Sequence, residues 1–405
     1  MKKNKITIVD SKCGDGKTSW AINFMDDNFK DRFIYITPFL PEIKRVRQST
    51  SRSFKEPNEK RGKGSKTRDF INMLEYGDDI CSTHALFRNI PERIKQIIEE
   101  KEYILILDEV MDVVEQLQIS KRDINLLLTD KIIESDADNR VNWIDENYQG
   151  EFLKFKTMIK NGDVYLYNDA MILWTFPCDV FKSFKHVYIL TYMFDGQIQK
   201  YYYDLNKLEY EYKSVKYIGS EGFGTMERKS YTLIDYVKPD LSKYKELINI
   251  YDGKLNNIGE DYNSFSVSWL SKNKGTPTMK RIKDNTVNYF KNITKTKLND
   301  NMWTTFLDYK KSLQGKGYTK GFIDCGARAT NEYRHKKSLV YLCNRFYNPI
   351  MKNFFLSKGI FIDEDVWTLS ELIQWLFRSQ IREGKPINIY IPSSRMRNLL
   401  IKWLE

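Results

Sequence analysis

Apolar residues along this chain gather into short dense runs separated by amphipathic stretches. KITIVD (5–10), RFIYITPF (32–39), part of DDICSTHALF (78–87) and YILILDEV (103–110) are apolar runs of strand length. Residues 17–26, 69–76 and 91–100 instead space their apolar positions as helices do. This alternation predicts a parallel sheet covered by helices. HVYILTYM (186–193) predicts a further buried strand, and 197–235, dominated by Tyr, Lys and Glu, predicts a sheet extension or hairpin. The stretch between 111 and 185 shows no clean rhythm. The pattern changes near Tyr236–Pro239. Beyond it, 280–312 reads as mostly helical, GFIDCG and SLVYLCNRF as strands, TLSELIQWLFRSQI as a helix, INIYIP as a strand and RMRNLLIKWLE as a closing helix. The expectation is an α/β protein with one domain over residues 1–235 and another over 236–405.

A length of 405 residues fits two to three domains of ordinary size. No uncharged apolar run approaches the ~18 residues of a membrane span, and MKKNKITIVD lacks the apolar core of a signal peptide. The five cysteines form no CxxC pair and there are only three histidines. A zinc site or disulfide framework is therefore not expected, and a reducing cytoplasm is. The net charge of +11 is uneven: residues 44–68 hold ten Lys or Arg against Glu56 and Glu59. That segment is also rich in Ser, Gly and Pro, so it reads as an exposed loop, either a solvated charge run or a contact for phosphates. The 14% aromatic content changes little, since codon bias explains it as well as base stacking does.

The most specific chemistry lies in Ser11-Lys12-Cys13-Gly14-Asp15-Gly16-Lys17-Thr18, which follows a predicted strand and precedes a predicted helix. That is the setting of a P-loop. Glycines let backbone N–H groups turn toward phosphates, and the following helix adds positive potential at its start. Gly14, Asp15, Gly16, Lys17, Thr18 and Ser19 are the expected ATP-binding residues. Lys17 would reach the β and γ phosphates, and the Thr18 hydroxyl would ligate Mg2+. Ser11 stands where the strict pattern has Gly. About 90 residues on, YILILDEV ends in Asp108 and Glu109 at the expected carboxyl edge of the sheet. There Asp108 would hold the metal and Glu109 would act on the attacking water as the catalytic carboxylate.

These elements resemble superfamily 2 DEAD-like helicases, particularly the short helicase proteins encoded by phages of low-GC bacteria. The P-loop corresponds to motif I, and YITPFLPEIKRV with Thr37 and Pro38 resembles motif Ia. Ser82-Thr83-His84 resembles a later strand-contacting motif, and Asp108-Glu109-Val110-Met111 the DExx box. Thr191 falls at motif III, and Arg328, Thr330 and Asn331 resemble motif V. Gln374-Trp375-Leu376-Phe377-Arg378 continuing to Arg382 resembles motif VI, with the two arginines four apart on one helix face. The resemblance implies two tandem RecA-like P-loop NTPase domains with a cleft between them. It also implies arginine fingers at Arg378 or Arg382, and ATP-driven work on single-stranded or duplex nucleic acid, DNA favoured, in phage replication or recombination beside other proteins of those processes. Two departures bear on unwinding more than on ATP binding: Met111 stands where named subfamilies have His or Asp, and Phe377 stands before Arg378 in place of glycine. Two rival readings are a terminase-like packaging ATPase, whose nuclease acids would have to come from Asp363, Glu364 and Asp365, and a nucleotide-gated binding module without unwinding activity.

Overall fold

The computed structural model describes residues 5–88, 94–222, 228–326 and 332–405. They divide into two compact units. The first takes in the N-terminal strand, Asp15–Val237 and Pro349–Ile362; the second takes in Lys12–Gly14, Lys238–Asn348 and Asp363–Glu405. The segment Pro349–Ile362 thus belongs with the first unit although it lies late in the sequence.

In the first unit, β1 (Lys5–Asp10), β2 (Arg32–Thr37), β3 (Ile80–Thr83) and β4 (Tyr103–Asp108) are followed by five short strands. These are β5 (Val114–Leu117), β6 (Ile133–Ser135), β7 (Val141–Trp143), β8 (Asp163–Tyr167) and β9 (Met171–Thr175). The chain then returns to the main sheet with β10 (His186–Thr191), β11 (Tyr210–Glu221) and β12 (Arg228–Asp235). The main sheet has the order β12-β11-β1-β10-β4-β2-β3 and is parallel except for the β11–β12 pair. Its central strands are apolar at successive positions because both faces are covered; every residue of β4 is buried. Register sets Asp10 beside Thr191 and Leu190 beside Asp108, so β1, β10 and β4 end level at one edge.

The helix Lys17–Asp27 lies on this sheet through Trp20, Ala21, Ile22 and Met25. Trp20 and Phe24 stack at 5.3 Å, and each meets Tyr188 edge-on. Burial of each large side chain there contributes about 1.5–3 kcal/mol.

The basic segment 44–68 is not one exposed loop. The helix Leu40–Ser49 runs through its first residues because Ile43 and Val46, three apart, face the core, with Pro41 in the first turn. A second helix, Lys66–Tyr76, begins at its end, where the Ser65 side chain accepts from the Arg68 N–H. Five of the basic residues are tied to acids: Arg45–Glu42, Arg47–Glu56, Arg52–Asp79, Lys55–Asp78 and Arg61–Asp69. Lys44, Lys60, Lys63, Lys66 and Arg68 are exposed. Residues 197–235 do contain the hairpin, β11 with β12, but begin with the helix Ile198–Leu205.

Strands β5 to β9 form an antiparallel sheet, β5-β9-β8, and a separate β6–β7 pair, none of which the sequence pattern indicates. The helix Pro349–Ser357 packs here: Phe354 meets Tyr165 at 5.6 Å and Tyr167 at 6.4 Å, and Lys358 Nζ donates to the Asp138 carbonyl at 2.9 Å.

The second unit holds β13 (Ile248–Ile250), β14 (Asn301–Thr304), β15 (Ser338–Tyr341) and β16 (Ile387–Tyr390), all parallel in the order β13-β16-β15-β14. Two expectations are corrected. β14 lies inside the stretch read as helical, and GFIDCG is no strand: Thr319–Gly321 is a 3-10 turn and Phe322 makes a single bridge to Trp303. The core here is aromatic, with Tyr289, Trp303, Tyr318 and Tyr390 buried together. Among the described residues no helix is long and apolar enough to cross a membrane.

Candidate functional site

The level edge of β1, β10 and β4 gathers the sequence-predicted groups of the first unit. Where β1 ends, the Ser11 N–H donates to the Thr191 carbonyl at 3.1 Å, and the Ser11 hydroxyl accepts from the Val215 N–H at 2.9 Å. The departure from glycine at the first P-loop position therefore has a purpose: the serine ties the loop to β11. Gly14 and Gly16 have φ of 100° and 95°, the left-handed region that costs other residues strain. A Cβ at Gly16 would also lie 2.3 Å from the Tyr231 ring, so glycine is required there twice over. The helix opens directly at Lys17, with the Trp20 N–H bonding to the Gly16 carbonyl, which sets the positive end of its dipole at the loop. Asp15 and Ser19 flank this turn. The Lys17 ammonium donates to the Ser11 carbonyl at 2.5 Å, across the mouth of the loop.

The second element meets the first. The Thr18 hydroxyl lies 3.4 and 3.3 Å from the two oxygens of Asp108. Burial pushes the Asp108 carboxyl up to about 6, against the lowering effect of a hydrogen bond from the Tyr35 hydroxyl. Thr18 and Asp108 supply two hard oxygen donors side by side, and that donor set suits Mg2+, which keeps several waters and takes few protein ligands. Among the described residues no group of three or more His, Cys, Asp or Glu is placed to hold a metal. Glu109 follows in a left-handed conformation, φ 77°, its N–H bonded to the Leu190 carbonyl at 3.0 Å. That strain, of order 1–3 kcal/mol, turns the chain sharply after β4. Met111 is packed in the core, and its N–H donates to Gln199 Oε1 at 3.0 Å.

Sequence reasoning passed over Asp10. Its carboxylate accepts from the Met193 and Phe194 N–H groups at 3.0 and 2.9 Å, and Met193 itself has a left-handed φ of 57°. Asp10 thus fastens the turn after Thr191 to the strand that feeds the P-loop. A buried acid one residue before the loop was the available signal. Thr37 and Thr191 end buried strands, and neither hydroxyl finds a partner among the described residues. Thr83 caps the short helix His84–Phe87, accepting from the Leu86 N–H at 3.4 Å. Beside the helix Leu40–Ser49 lies a surface cavity of about 630 Å³ lined by Lys44, Arg47, Gln48, Arg52, Ser53, Phe54 and Glu56.

In the second unit Arg328, Thr330 and Asn331 fall outside the described residues. Arg378 and Arg382 do not share a helix face. The helix Glu364–Leu376 closes at Phe377, the Arg378 N–H bonds to the Trp375 carbonyl in the turn that follows, and Arg382 sits in the 3-10 turn Gln380–Glu383. The Ser379 hydroxyl caps the Leu376 carbonyl, and Gly384, φ 71°, ends the 3-10 turn. Arg378 is largely buried. The acids of the terminase reading are engaged structurally. Asp363 caps the helix, Glu364 accepts from the Tyr347 N–H, and Asp365 pairs with Arg395 at 2.6 Å.

Two family profiles match the chain: the YonV C-terminal Rossmann-like domain over residues 242–404, and the YonV middle domain over 114–174, which is the region of β5 to β9. The SPbeta prophage-derived protein YonV of Bacillus subtilis (strain 168) is 45% identical over 414 residues, which cover 99% of each chain. Among solved structures, one titled XPD_APO superposes with a TM-score of 0.52 at 10% identity, over 99% of this chain and 95% of its own. Xpd4 of S. tokodaii gives 0.52 at 12% identity, over 98% and 94%. At such identities the likeness is one of fold: two tandem RecA-like domains.

Proposed function

The chain belongs to the YonV family of prophage proteins, and from that premise we propose that it is an ATP hydrolase of helicase type that translocates on or remodels nucleic acid, DNA by preference, during phage replication or recombination in the host cytoplasm. The observation that carries the reading is the convergence, at one sheet edge, of Lys17, the Thr18 hydroxyl and the Asp108 carboxylate, with Thr18 and Asp108, 90 residues apart in sequence, brought within 3.4 Å.

In this reading the loop N–H groups of Gly14 to Ser19 and the Lys17 ammonium bind and orient the triphosphate. Thr18 and Asp108 would hold Mg2+, which when bound would neutralise negative charge on the phosphoryl groups. Glu109, set at the strained turn after β4, orients the attacking water and takes its proton. Arg378 and Arg382 supply the cations that stabilise charge on the transferred phosphoryl. The cavity beside Lys44 and Arg47, and the exposed Lys60, Lys63 and Lys66 beyond it, are proposed contacts for the nucleic-acid backbone.

Steady-state ATP hydrolysis with and without single-stranded DNA tests this, beside Lys17→Ala and Arg378→Ala. Stimulation by DNA that both substitutions remove supports the motor. Hydrolysis indifferent to DNA, RNA and Arg378 would move the nucleotide-gated binding module to the front. One observation favours that second reading: Met111, where coupling residues of named subfamilies stand, is buried and bonded through its N–H to Gln199.

A further inference from the structure

Strand β2 carries in the core, at the first position of the stretch that resembles motif Ia, a polar side chain to which that resemblance assigns no role. Phe33, Ile34, Tyr35 and Ile36 are all fully buried. An aliphatic or phenyl group would pack at position 35 as its neighbours do, so the phenol oxygen is the exception to be explained. A buried hydroxyl needs a partner, and this one has an ionisable partner: Tyr35 Oη donates to Asp108 Oδ2 at 2.5 Å. Register explains the reach. Tyr35 pairs with Ile106 of β4, and Asp108, two residues on, shares that face of the sheet, so the ring leans one step along the strand. The same face carries Val9, Ile106 and the helix residues Trp20 and Ala21, which is the side on which Thr18 stands.

The two oxygens of Asp108 are therefore unequal. Oδ2 takes a short bond from the phenol and Oδ1 takes none from it, while the Thr18 hydroxyl lies almost evenly between them, at 3.4 Å from Oδ1 and 3.3 Å from Oδ2. A carboxylate at a strand end turns easily about its last bond, and one fixed donor removes that freedom.

We propose that Tyr35 is a positioning residue for the metal-bound nucleotide: its hydroxyl holds Oδ2 and so fixes the rotation of the Asp108 carboxylate, leaving Oδ1, which the phenol does not occupy, to face the cation beside Thr18. The inference rests on the nucleotide-hydrolase reading and deepens it by adding an outer group to the metal site. Groups that orient metal ligands typically change affinity about 10–100-fold when removed.

The test is Tyr35→Phe in the full chain, with Mn2+ binding measured by electron paramagnetic resonance in the presence of ADP, which needs no turnover. The Phe variant should bind Mn2+ about 10-fold more weakly than wild type, and the Mg2+ concentration for half-maximal hydrolysis should rise in parallel. ADP affinity without metal should stay unchanged, a split that a merely structural role would not produce. Because loss of the bond also leaves a buried carboxylate short of a donor, a second variant carries 4-aminophenylalanine at position 35. It keeps the ring and a donor, and should restore Mn2+ affinity to within about threefold of wild type, well inside the loss expected for the Phe variant. Equal Mn2+ affinity in wild type and Tyr35→Phe, or equal losses in both variants, would overturn the proposal. If wild type itself binds no ADP and matches Lys17→Ala, the nucleotide reading fails, and this inference falls with it; normal wild-type binding with an indifferent Tyr35 sinks the inference alone.

Discussion

Both units are built on a parallel sheet, yet their strand ends are chemically unlike. In the first, β1, β10 and β4 finish level, and their last residues are Asp10, Thr191 and Asp108, all buried and polar. In the second, β13, β15 and β16 finish at Ile250, Tyr341 and Tyr390, and only β14 ends in a small hydroxyl, Thr304. The first edge holds a glycine turn opening a helix and a carboxylate bonded to its neighbours. Among the described residues the second edge has neither, and its proposed contribution comes from arginines in turns beyond the helix Glu364–Leu376. The same backbone architecture thus does not by itself gather polar groups at a sheet edge; the residues that end its strands do.

The sharpest way to break this contrast is to remove what the second unit is proposed to give. Arg378→Ala or Arg382→Ala, whichever side chain reaches the transferred phosphoryl, should lower kcat about 10³-fold with ADP affinity unchanged. Unchanged kcat in both would confine the chemistry to the first unit. Lys17→Ala should lower kcat/KM about 10²–10³-fold, the scale of losing one charge-stabilising donor, seen in the same hydrolysis assay. A smaller effect belongs to Asp108 in the metal-free protein. Its carboxyl is raised from 3.8 to about 6 by burial, so the folded state holds a proton that the unfolded chain has released. This stability, of order 2–3 kcal/mol, is present below pH 4 and lost as pH rises through about 6. Denaturant titrations across that window should show the slope, and Asp108→Asn should flatten it. Asp10→Asn should cost about 1–3 kcal/mol by weakening two charge-assisted bonds to the turn after Thr191. The smallest expected effect is on binding: replacing exposed Lys44, Lys60, Lys63 and Lys66 by Ala should reduce the salt slope for DNA by about one for each phosphate no longer neutralised. An identical slope would leave that face a solvated surface.

How far the sequence alone reached follows the same contrast. The strand, glycine turn and helix after β1 are legible because glycine spacing, a preceding apolar strand and a following helix are local properties, realised in Gly14, Gly16 and the helix that opens at Lys17. Asp108 was legible as the end of β4, because a wholly apolar run of strand length stops at its two acids. Tyr35 was not, since its phenol looks like any aromatic of a buried strand until register brings Asp108 to it. The short strands β5 to β9 escaped because each is only three to five residues long, too short for an alternation of apolar and polar positions to stand out. Motif VI misled in geometry: four-residue spacing suggests one helix face, but Phe377 closes the helix before the first arginine.

The helix Pro349–Ser357 has a consequence for how the chain is made. Its Phe354 and Phe355 meet Tyr165, Tyr167 and Tyr201, rings synthesised about 150–190 residues earlier. As the chain leaves the ribosome, the first unit has its entire main sheet yet still lacks a wall. Its last apolar face waits, uncovered, until most of the second unit has been translated. The two units therefore cannot mature strictly in order of synthesis, and a fragment ending at Val237 would carry that unfinished face into solution as a site for aggregation or for a chaperone.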